Sequence, residues 1–464
     1  MTRHLKKYFF SVLLVFSGIL LKAQGYQAIQ GSPFAGSTAV FNNPAASVGS
    51  AYKWDLTLFS VQAKMSSNSP YIESGSNGGL TMNGDVRSKF FHANIDLSLF
   101  NFLYKADNEH AFNFGIRART YNHVKTSAFH YSDSINSFHS FLIENDNAPY
   151  LEGFVTHTGW LEADLNYSQV LFENNRSKLT GGITLQIMKG ISGAFLKLNK
   201  VSYIESKNGT DTLFNFTDGS GSAGYSSTLD QNSFQDANKN ALGSLGLSMG
   251  IEYLIYNNEF NGGTGNNNLN YDWKIGVSLM DLGSNKFKPS VNSVQLFSPA
   301  ATITDVLVDQ KFSGAANISD FKDSLTSVFT NSASIVNNFK ITNPTRLIVN
   351  VDRNFGNNLY VNGELSMNFY STSSYTKYRT RELNLLTITP RWETIGLGAY
   401  LPLQYNTQGQ LWIGAAVKLG PLLVGVHSLG IFAKNPTMNG GGYLLLSIHP
   451  FNKRNVLSKM DCPK

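Results

Sequence analysis

Strict alternation of apolar and polar residues is the feature that most constrains the fold of this chain. In residues 90–100, FFHANIDLSLF, an extended backbone places Ile95 and Leu99 on one face and Asn94 and Asp96 on the other. A period of two predicts a β-strand with one apolar and one polar face. The same period recurs in segments of about ten residues, the length of a tilted membrane-crossing strand. The other examples are residues 54–63, 111–120, 161–171, 244–256, 272–282, 359–370 and 411–419.

The amino terminus predicts an exported protein. The basic residues Arg3, Lys6 and Lys7 precede an apolar run over residues 8–21, which is followed by LKAQG. The run is shorter than the roughly 20 residues that a membrane-spanning helix needs. We therefore interpret residues 1–23 as a cleaved signal peptide, and an uncleaved anchor helix is the alternative.

Charge and cysteine content argue against two other classes of protein. The full chain carries +6 (37 basic minus 31 acidic residues), and four of the basic residues lie in the predicted signal peptide, which leaves +2 (33 minus 31). The basic isoelectric point is therefore no sign of nucleic-acid binding. Cys462 is the only cysteine, so neither an internal disulfide nor a lipoprotein cysteine at the cleavage site is available.

Composition favours a β-barrel in the outer membrane. Charged residues make up 15% of the chain, against roughly 25% in ordinary soluble domains. The chain has 21 tyrosines and 32 phenylalanines, and no stretch after the amino terminus resembles a spanning helix. In a bilayer only helices and closed barrels satisfy every backbone polar group. We therefore predict an all-β fold located in the outer membrane.

The connections between the predicted strands alternate between long and short. This parity is expected of an up-and-down barrel with short periplasmic turns and long external loops. We predict about fourteen antiparallel strands within residues 51–451, with residues 179–203 as one long strand and Pro390 at a strand end. The predicted external loops are about residues 64–88, 122–159, 206–241 and 283–343, and residues 452–464 form a periplasmic tail.

One predicted external loop contains an amphipathic helix. Phe321, Leu325 and Val328 recur at helical spacing within residues 319–329. We interpret this helix as lying over or inside the barrel mouth. A surface-loop helix packed on its neighbours is the alternative.

The segment before the first predicted strand does not alternate. Residues 24–50 are small, polar and turn-rich, and they contain AVFNNPAAS. This piece resembles the Asn-Pro-Ala segment of FadL-type long-chain fatty-acid transporters, in which a short N-terminal hatch plugs a fourteen-stranded barrel. The resemblance implies that residues 24–50 form a hatch and makes Asn42, Asn43, Pro44 and Ala45 candidate hatch and ligand residues. An ordinary turn that leads into the first strand would use the same residues.

Along essentially the whole mature chain, the sequence is similar to an outer-membrane barrel family of unknown function that is typical of Bacteroidota. The stretches that carry this resemblance are NNPAASVGSAYKWDLTLFS, YLPLQYNTQGQLWIGAAVKLGPLLVGVHSLG and NGGGYLLLSIHP. The resemblance implies an architecture and a location, and it says little about a substrate.

Five charged residues are predicted to face the lumen. Arg117 and Arg119 share the polar face of one strand, Glu162 and Asp164 that of the next, and Asp96 that of the preceding one. One interpretation is a wall that filters or blocks a polar path. The other is that the pairs merely satisfy each other inside a polar interior.

Three motifs that carry chemistry in other proteins are interpreted here as chance. Ser248 lies in GLSMG, which matches G-x-S-x-G, but it sits in a predicted strand and not at a strand-to-helix turn. The spacings of His123, His130 and His139 are not those of zinc sites, and we take them as surface or lid residues. Residues 230–240 lack the glycine and the distal glutamate of a calcium loop. We predict no catalytic residue, no metal and no cofactor.

The residues and the resemblance together predict a non-enzymatic outer-membrane barrel. Its expected activity is passive transport or transfer of a hydrophobic small molecule, which requires a continuous apolar pocket between residues 25–50 and the barrel wall. The alternative is a partner barrel in secretion or surface assembly, which predicts a filled lumen, and a barrel lipid hydrolase that uses Ser248 is more remote. The expected partners are outer-membrane lipids, with a hydrophobic small molecule or secretion-system proteins, and no nucleic acid.

Overall fold

The computed structural model describes residues 27–450 apart from several short stretches. Those stretches are residues 73–79, 83, 133–134, 209–210, 232, 257–268, 270, 301–302, 371–374 and 433–437. The predicted signal peptide (1–23) and periplasmic tail (452–464) lie outside the described residues.

Strands dominate the described part of the chain. They are β1 (Trp54–Ser67), β2 (Pro70–Ile72), β3 (Leu80–Met82), β4 (Arg87–Lys105), β5 (His110–Phe129), β6 (Leu151–Glu173), β7 (Ser177–Asn208), β8 (Asp211–Tyr225), β9 (Gly243–Tyr256), β10 (Tyr271–Phe287), β11 (Val294–Pro299), β12 (Phe329–Ser334), β13 (Phe339–Thr342), β14 (Arg346–Asn354), β15 (Leu359–Asn368), β16 (Leu385–Glu393), β17 (Leu397–Tyr400), β18 (Leu403–Asn406), β19 (Leu411–Ile413), β20 (Ala415–Leu419), β21 (Leu422–Val426) and β22 (Gly442–Ile448). The α-helices are α1 (Phe138–Glu144), α2 (Phe234–Asn240), α3 (Asp305–Ser313) and α4 (Ile318–Val328). Within the described residues, no helix has the length and apolar character to cross a membrane.

Fourteen antiparallel wall strands form a closed barrel, as the sequence predicts. The barrel closes because β1 pairs with β4 on one side and with β22 on the other. Two wall strands are each interrupted once, so β17 with β18 and β19 with β20 count as one strand apiece. In order, the wall consists of β1, β4, β5, β6, β7, β9, β10, β14, β15, β16, β17/β18, β19/β20, β21 and β22.

The predicted parity of the connections is present. One rim carries tight connections such as residues 106–109, 174–176 and 355–358, and the other rim carries longer ones such as residues 130–150 and 288–345. We call the rim with the long connections the external rim, because outer-membrane barrels place their long loops outside the cell. The four-residue turn 407–410 is an exception to the length rule on this rim.

Several strand ends differ from the predicted ones. β1 continues to Ser67 and β5 to Phe129, so the connections predicted at 64–88 and 122–159 start later than expected. Strands that rise above the bilayer no longer have one face in lipid, so the alternation that marks a strand in the sequence fades there. The prediction that Pro390 ends a strand is wrong, because β16 runs through it to Glu393. Residues 179–203 do form part of one strand, β7.

The barrel wall is apolar outside and polar inside. On β4, Ile95 and Leu99 are 42% and 48% exposed, whereas Asn94, Asp96 and Ser98 are buried in the lumen. The other outward-facing apolar residues include Phe112, Phe114, Ile116, Leu165, Ile183, Leu185, Ile187, Ile251, Trp273 and Ile275. This arrangement is the reverse of that in a soluble protein, and it suits a wall that faces lipid hydrocarbon. The fold is therefore that of an outer-membrane barrel.

Helices α1, α3 and α4 pack with β8, β11 and β12 above the external rim, and we call this unit the loop assembly. It has its own apolar core around Phe214, Leu296 and Val328. Helix α4 begins where Asn317 Oδ1 accepts a hydrogen bond from the Asp320 backbone N–H, 2.9 Å away. The helix predicted over residues 319–329 is therefore present, and it packs on its neighbours in the loop assembly as the alternative interpretation has it.

The outward orientation of Leu99 gives a direct test of the membrane face. We expect Leu99→Arg to lower the free energy of unfolding in lipid vesicles by about 2–4 kcal/mol, because the bilayer interior solvates a cation poorly. The same substitution at Phe234, an exposed residue of helix α2, should change it by less than about 0.5 kcal/mol. Urea titrations followed by tryptophan fluorescence measure both values, and equal effects would contradict a lipid-facing Leu99.

Candidate functional site

Residues 27–50 lie inside the barrel toward the periplasmic rim, and we call them the hatch. They form three short 3₁₀ turns at Gln27–Ile29, Gly36–Phe41 and Pro44–Ser47. The last turn starts cleanly because Asn43 Oδ1 accepts the Ala45 N–H at 3.0 Å and Pro44 occupies the first position of the turn. Local sequence thus dictates the compact shape that the Asn-Asn-Pro-Ala segment takes.

The Asn-Asn-Pro segment binds directly to the wall. The side-chain amide of Asn42 donates to Glu364 Oε2 at 2.8 Å, and that of Asn43 donates to the Ile251 carbonyl at 2.9 Å. The Asn166 amide donates to the Pro44 carbonyl at 3.1 Å. Polar wall residues therefore hold the hatch through both its side chains and its backbone.

A second set of hydrogen bonds anchors the hatch nearer its start. Ser32 Oγ donates to Glu393 at 2.8 Å, and the Ser37 N–H donates to Asp55 Oδ1 at 2.7 Å. The amides of Asn101 and Asn113 both donate to the Ser37 carbonyl, at 2.6 and 2.8 Å. The hatch is thus tied to several wall strands at once.

Wall glycines create the socket that receives the hatch. A Cβ on Gly182 would overlap the Pro44 carbonyl, and a Cβ on Gly250 would overlap the Asn43 side chain. A Cβ on Gly276 would lie 2.9 Å from Asn43 Nδ2. These three positions lack side chains where the hatch approaches the sheet most closely.

The five predicted lumen charges all lie inside the barrel, and they form ion pairs. Arg117 contacts Glu162 at 2.5 Å and Asp164 at 2.9 Å, and Arg117 and Glu162 are opposite in register. Arg119 contacts Asp96 at 3.0 Å and lies 3.6 Å from Glu162. The Arg117 guanidinium also lies 3.8 Å from the centre of the Phe41 ring, which joins this network to the hatch.

Other charges extend this network across the lumen. Arg119 also contacts Asp281 at 2.7 Å, and Arg346 contacts Asp281 at 3.2 Å and Glu382 at 3.6 Å. Lys64 completes the chain at 2.6 Å from Glu382. A continuous line of alternating charges thus links β5, β10, β14, β1 and the connection after β15.

A separate ion cluster supports the hatch from the opposite wall. Arg391 binds both oxygens of Asp352, at 2.6 and 2.8 Å, and contacts Glu393 at 2.7 Å. All three side chains are completely buried. Because Glu393 accepts the bond from Ser32, the cluster carries one of the hatch anchors.

The external mouth is obstructed by residues 378–384, which we call the mouth segment. Its backbone pairs with Thr342 through Tyr378 and Thr380, at 3.1 and 2.8 Å. The Tyr378 ring stacks on Phe195 with 4.0 Å between centroids. Glu382 reaches the charge network through its contacts with Lys64 and Arg346, so the mouth segment lies at the end of the lumen opposite the hatch.

A polar chamber remains between the hatch and the mouth segment. The space outside protein atoms is about 980 Å³, including the part that opens to solvent. Its basic lining residues are Lys64, Arg117, Lys274 and Arg346. Its acidic lining residues are Asp96, Glu252, Glu364 and Glu382. The chamber therefore suits polar ligands and not apolar ones.

The residues set aside as chance motifs have structural partners. Ser248 is buried, and its Oγ accepts the Asp281 N–H at 2.9 Å. His130 lies 3.4 Å from Glu144, and His139 contacts Asp305. The expectation that His123 is a surface or lid residue is wrong, since it is buried in the barrel with its Nδ1 3.2 Å from that of His92.

Two further observations concern metal sites. Within residues 230–240, Asp230 ends a 3₁₀ turn and residues 234–240 form helix α2, whose first turn is capped by Ser233. Among the described residues, no three histidine, cysteine, aspartate or glutamate side chains come together as a metal site would require.

Sequence reasoning missed several charged residues of the lumen. Lys274, Glu252 and Glu364 lie on inward faces of recognised alternating segments, so the alternation could have identified them. Asp281 lies in a bulge of β10 and has a positive φ of 60°, and a bulge breaks the period of two. Glu382 lies in a loop, where periodicity gives no signal.

Fold and site together define a membrane-spanning β-barrel of fourteen strands that is plugged by its own hatch. Within that class, the chain belongs to the family of unknown function DUF5723, whose model matches residues 44–427. The predicted membership in an uncharacterised barrel family is thereby confirmed. No curated protein matches the sequence.

Solved structures similar to this chain are distant in sequence. The Pseudomonas putida toluene transporter TodX is 8% identical with a TM-score of 0.44, over 89% of this chain and 95% of TodX. The Ralstonia pickettii toluene transporter TbuX is 11% identical with a TM-score of 0.41, over 89% and 92%. A FadL homologue from Pseudomonas aeruginosa is 10% identical with a TM-score of 0.41, over 92% and 98%.

The charge network predicts a large effect for its central residue. Arg119→Met leaves Asp96 and Asp281 buried with one fewer cation, so we expect the free energy of unfolding to fall by about 3–5 kcal/mol. The control is Arg87→Met, because the pair between Arg87 and Asp85 is exposed and contributes about 0–1 kcal/mol. Both are measured by urea unfolding in detergent micelles, and similar small losses would show that the lumen charges are water-solvated.

The glycine socket predicts an effect on hatch docking. We expect Gly182→Ala to dislodge the Pro44 backbone and to raise the ion conductance of the barrel in planar bilayers severalfold over wild type. Gly243→Ala, also on a wall strand, is the control because a Cβ there meets no atom within 4 Å. Unchanged conductance in a folded Gly182→Ala barrel would mean that the mouth segment alone blocks the lumen.

Proposed function

We propose that this chain is a non-enzymatic outer-membrane partner barrel, inserted after cleavage of its signal peptide, whose plugged lumen supports the loop assembly as a surface for another protein. A single observation carries the proposal: the hatch and the mouth segment occupy opposite ends of the lumen, and the chamber between them is lined by charge. A barrel filled in this way is suited to carrying loops in the membrane. It is poorly suited to conducting an apolar molecule.

The chamber argues against an apolar path through the barrel. Transport of a hydrophobic compound was expected to need a continuous apolar pocket between residues 25–50 and the wall, and the chamber described there has four basic and four acidic lining residues. An apolar molecule in this position would remove water from those charges without replacing their hydrogen bonds, which is unfavourable.

The loop assembly offers the surface that a partner protein requires. Asp309 of α3 accepts hydrogen bonds from the backbone N–H groups of Phe138 and His139 at 2.9 and 3.1 Å, which fixes α1 against α3. Ile318 and Phe321 of α4 are 54% and 42% exposed. Rigid helices with exposed apolar side chains are common features of protein interfaces.

A second candidate function is transfer of a hydrophobic small molecule, and the loop assembly is the observation that favours it. Phe138, Phe141 and Phe312 are only partly buried against its apolar core. Aromatic side chains on the external rim could capture an apolar compound before a movement of the hatch or a lateral opening lets it pass. This candidate requires the hatch to move, and the partner proposal does not.

A disulfide that locks the hatch distinguishes the two functions. Ser37 Oγ and Thr57 Oγ1 are 2.8 Å apart, so Ser37→Cys with Thr57→Cys can link the hatch to β1. Cys462→Ser removes the native thiol in the test protein and in its control. Uptake of a labelled long-chain fatty acid into cells is compared between the oxidised and reduced forms of the same variant. In parallel, a photo-crosslinker replaces Phe321, with one at the lipid-facing Leu99 as the control.

We expect locking to leave fatty-acid uptake unchanged, and the crosslinker at position 321 to capture one protein in stoichiometric amount from native membranes. The crosslinker at position 99 should capture none. Uptake that stops on oxidation and returns on reduction would establish the transfer function instead. A crosslinker at position 321 that captures only lipid would overturn the partner proposal.

A further inference from the structure

The sheet in the loop assembly ends in a strand that has one neighbour. Residues 194–208 of β7 pair with β8, β8 pairs with β11, and β11 pairs with β12. We call these four strands the external sheet. Within the described part of the chain, β11 is the only strand with which β12 has a pairing register, so β12 is the open edge of the external sheet.

One contact fixes the hydrogen-bonding pattern of β12. The Ile335 N–H donates to the Ser293 carbonyl at 2.9 Å. In an antiparallel ladder, every second residue directs its N–H and C=O toward the neighbouring strand. Counting back from Ile335, the residues whose backbone groups point away from β11 are Thr330, Ser332 and Ser334.

These outward-pointing backbone groups are open to another chain. Among the described residues, no strand, turn or side chain forms a hydrogen bond with them. The side chains of residues 330–334 are all exposed, so a segment could reach the edge without displacing a cover. Three N–H donors and three carbonyl acceptors are thus aligned for a further strand.

A comparable edge elsewhere in the protein is covered. Strand β13 pairs with β10 on one side. On its other side lies the mouth segment, whose Tyr378 and Thr380 form backbone hydrogen bonds with Thr342. No described segment pairs with β12 in this way.

Strand β12 also lacks the features that normally protect an exposed edge. Charged residues, prolines and bulges discourage pairing with other chains. Residues 329–338, FTNSASIVNN, contain neither a charged residue nor a proline, and the register with β11 has no shift. Phe329 is buried in the apolar core of the loop assembly and holds the start of the strand in place. The edge is therefore ordered, open and unprotected.

The direction of β12 argues against a second copy of this chain as the occupant. Strand β7 rises from the wall and its successive neighbours alternate in direction, so β12 runs back toward the membrane. Copies in one membrane have the same orientation, so two adjacent β12 strands would run in parallel. Parallel pairing is slightly less stable per residue than the antiparallel pairing of the external sheet. A segment of a different protein can approach in either direction.

We propose that an extended segment of the partner protein adds to β12 as a further strand of the external sheet. This inference rests on the proposed function and names how the partner binds. Main-chain hydrogen bonds supply the affinity in this kind of recognition. Because the side chains of residues 330–334 are small and uncharged, the segment that fits is uncharged and rich in strand-forming residues such as threonine and valine.

Two fluorescein-labelled peptides of alternating threonine and valine test the proposal on the full mature chain in detergent. The probe is methylated at every second backbone nitrogen, which leaves one edge able to pair and prevents the peptide from stacking on itself. The control peptide is methylated at every backbone nitrogen, so it has the same side chains and no N–H donor. By fluorescence anisotropy, we expect the probe to bind at least tenfold more tightly than the control peptide.

Two substitutions at Ser332 locate the binding site. Ser332→Pro removes an N–H that points to the open edge and leaves the bonds to β11 intact, so we expect it to weaken probe binding at least tenfold. Ser332→Thr keeps the N–H and should leave probe binding unchanged. Circular dichroism checks that both variants keep their β-structure.

Three results would overturn the proposal: no binding of the probe, equal binding of probe and control peptide, or unchanged probe binding in folded Ser332→Pro. The comparison of the two peptides uses only the wild-type chain, so it decides the matter even if Ser332→Pro does not fold. A wild-type dimer that sediments as a monomer after Ser332→Pro would assign the edge to a second copy, which also contradicts the proposal.

The photo-crosslinker at Phe321 separates this inference from the proposed function. When it is combined with Ser332→Pro, we expect capture of the partner protein to fall at least tenfold. Unchanged capture would overturn strand addition and leave the partner function standing. A crosslinker that captures only lipid in the otherwise wild-type chain would overturn both.

Discussion

The pairing of β1 with β22 is the interaction on which the rest of the structure depends. It turns an open sheet into a closed wall, so no strand edge is left with unpaired backbone groups in the bilayer. Closure also separates the two faces of every strand into an outside and an inside. The apolar side chains then face lipid, and the polar side chains are confined to an interior that they must share.

This confinement explains the extent of the charge network. Because its side chain is buried in the lumen, an arginine such as Arg119 needs several carboxylates at short range, and each carboxylate needs more than one donor. The charged wall residues form ion pairs with one another along the inner surface of the barrel, and the hatch provides further hydrogen-bond donors from the centre of the lumen. The Asn42 amide on Glu364 and the Ser32 hydroxyl on Glu393 are both of this kind. The plug is therefore part of the electrostatic balance of the barrel as well as an obstruction.

Much of the fold can be predicted from the sequence because the alternation of apolar and polar residues is a local property. The ten-residue period and the parity of the connections indicate the strands, the closed barrel and the direction in which Asp96 and Ile95 point. Neither property indicates which charged residues meet across the lumen. The contact between Lys64 and Glu382 joins residues far apart in sequence, and the inward turn of Asp281 comes from a bulge that the alternation cannot show. The apolar pocket expected beside the hatch also depended on long-range packing, and the packing places ion pairs there instead.

Strand β7 has a mechanical consequence. It is a continuous strand of 32 residues, or roughly 100 Å at about 3.3 Å per residue, and only about ten of its residues are needed to cross the bilayer. The remainder rises from the wall and pairs with β8, at the base of the loop assembly. A force applied to the loop assembly is therefore transmitted along a hydrogen-bonded ladder into the barrel. Such a ladder resists shear because many hydrogen bonds carry the load together. The loop assembly is therefore attached to the barrel rigidly and not through a flexible linker.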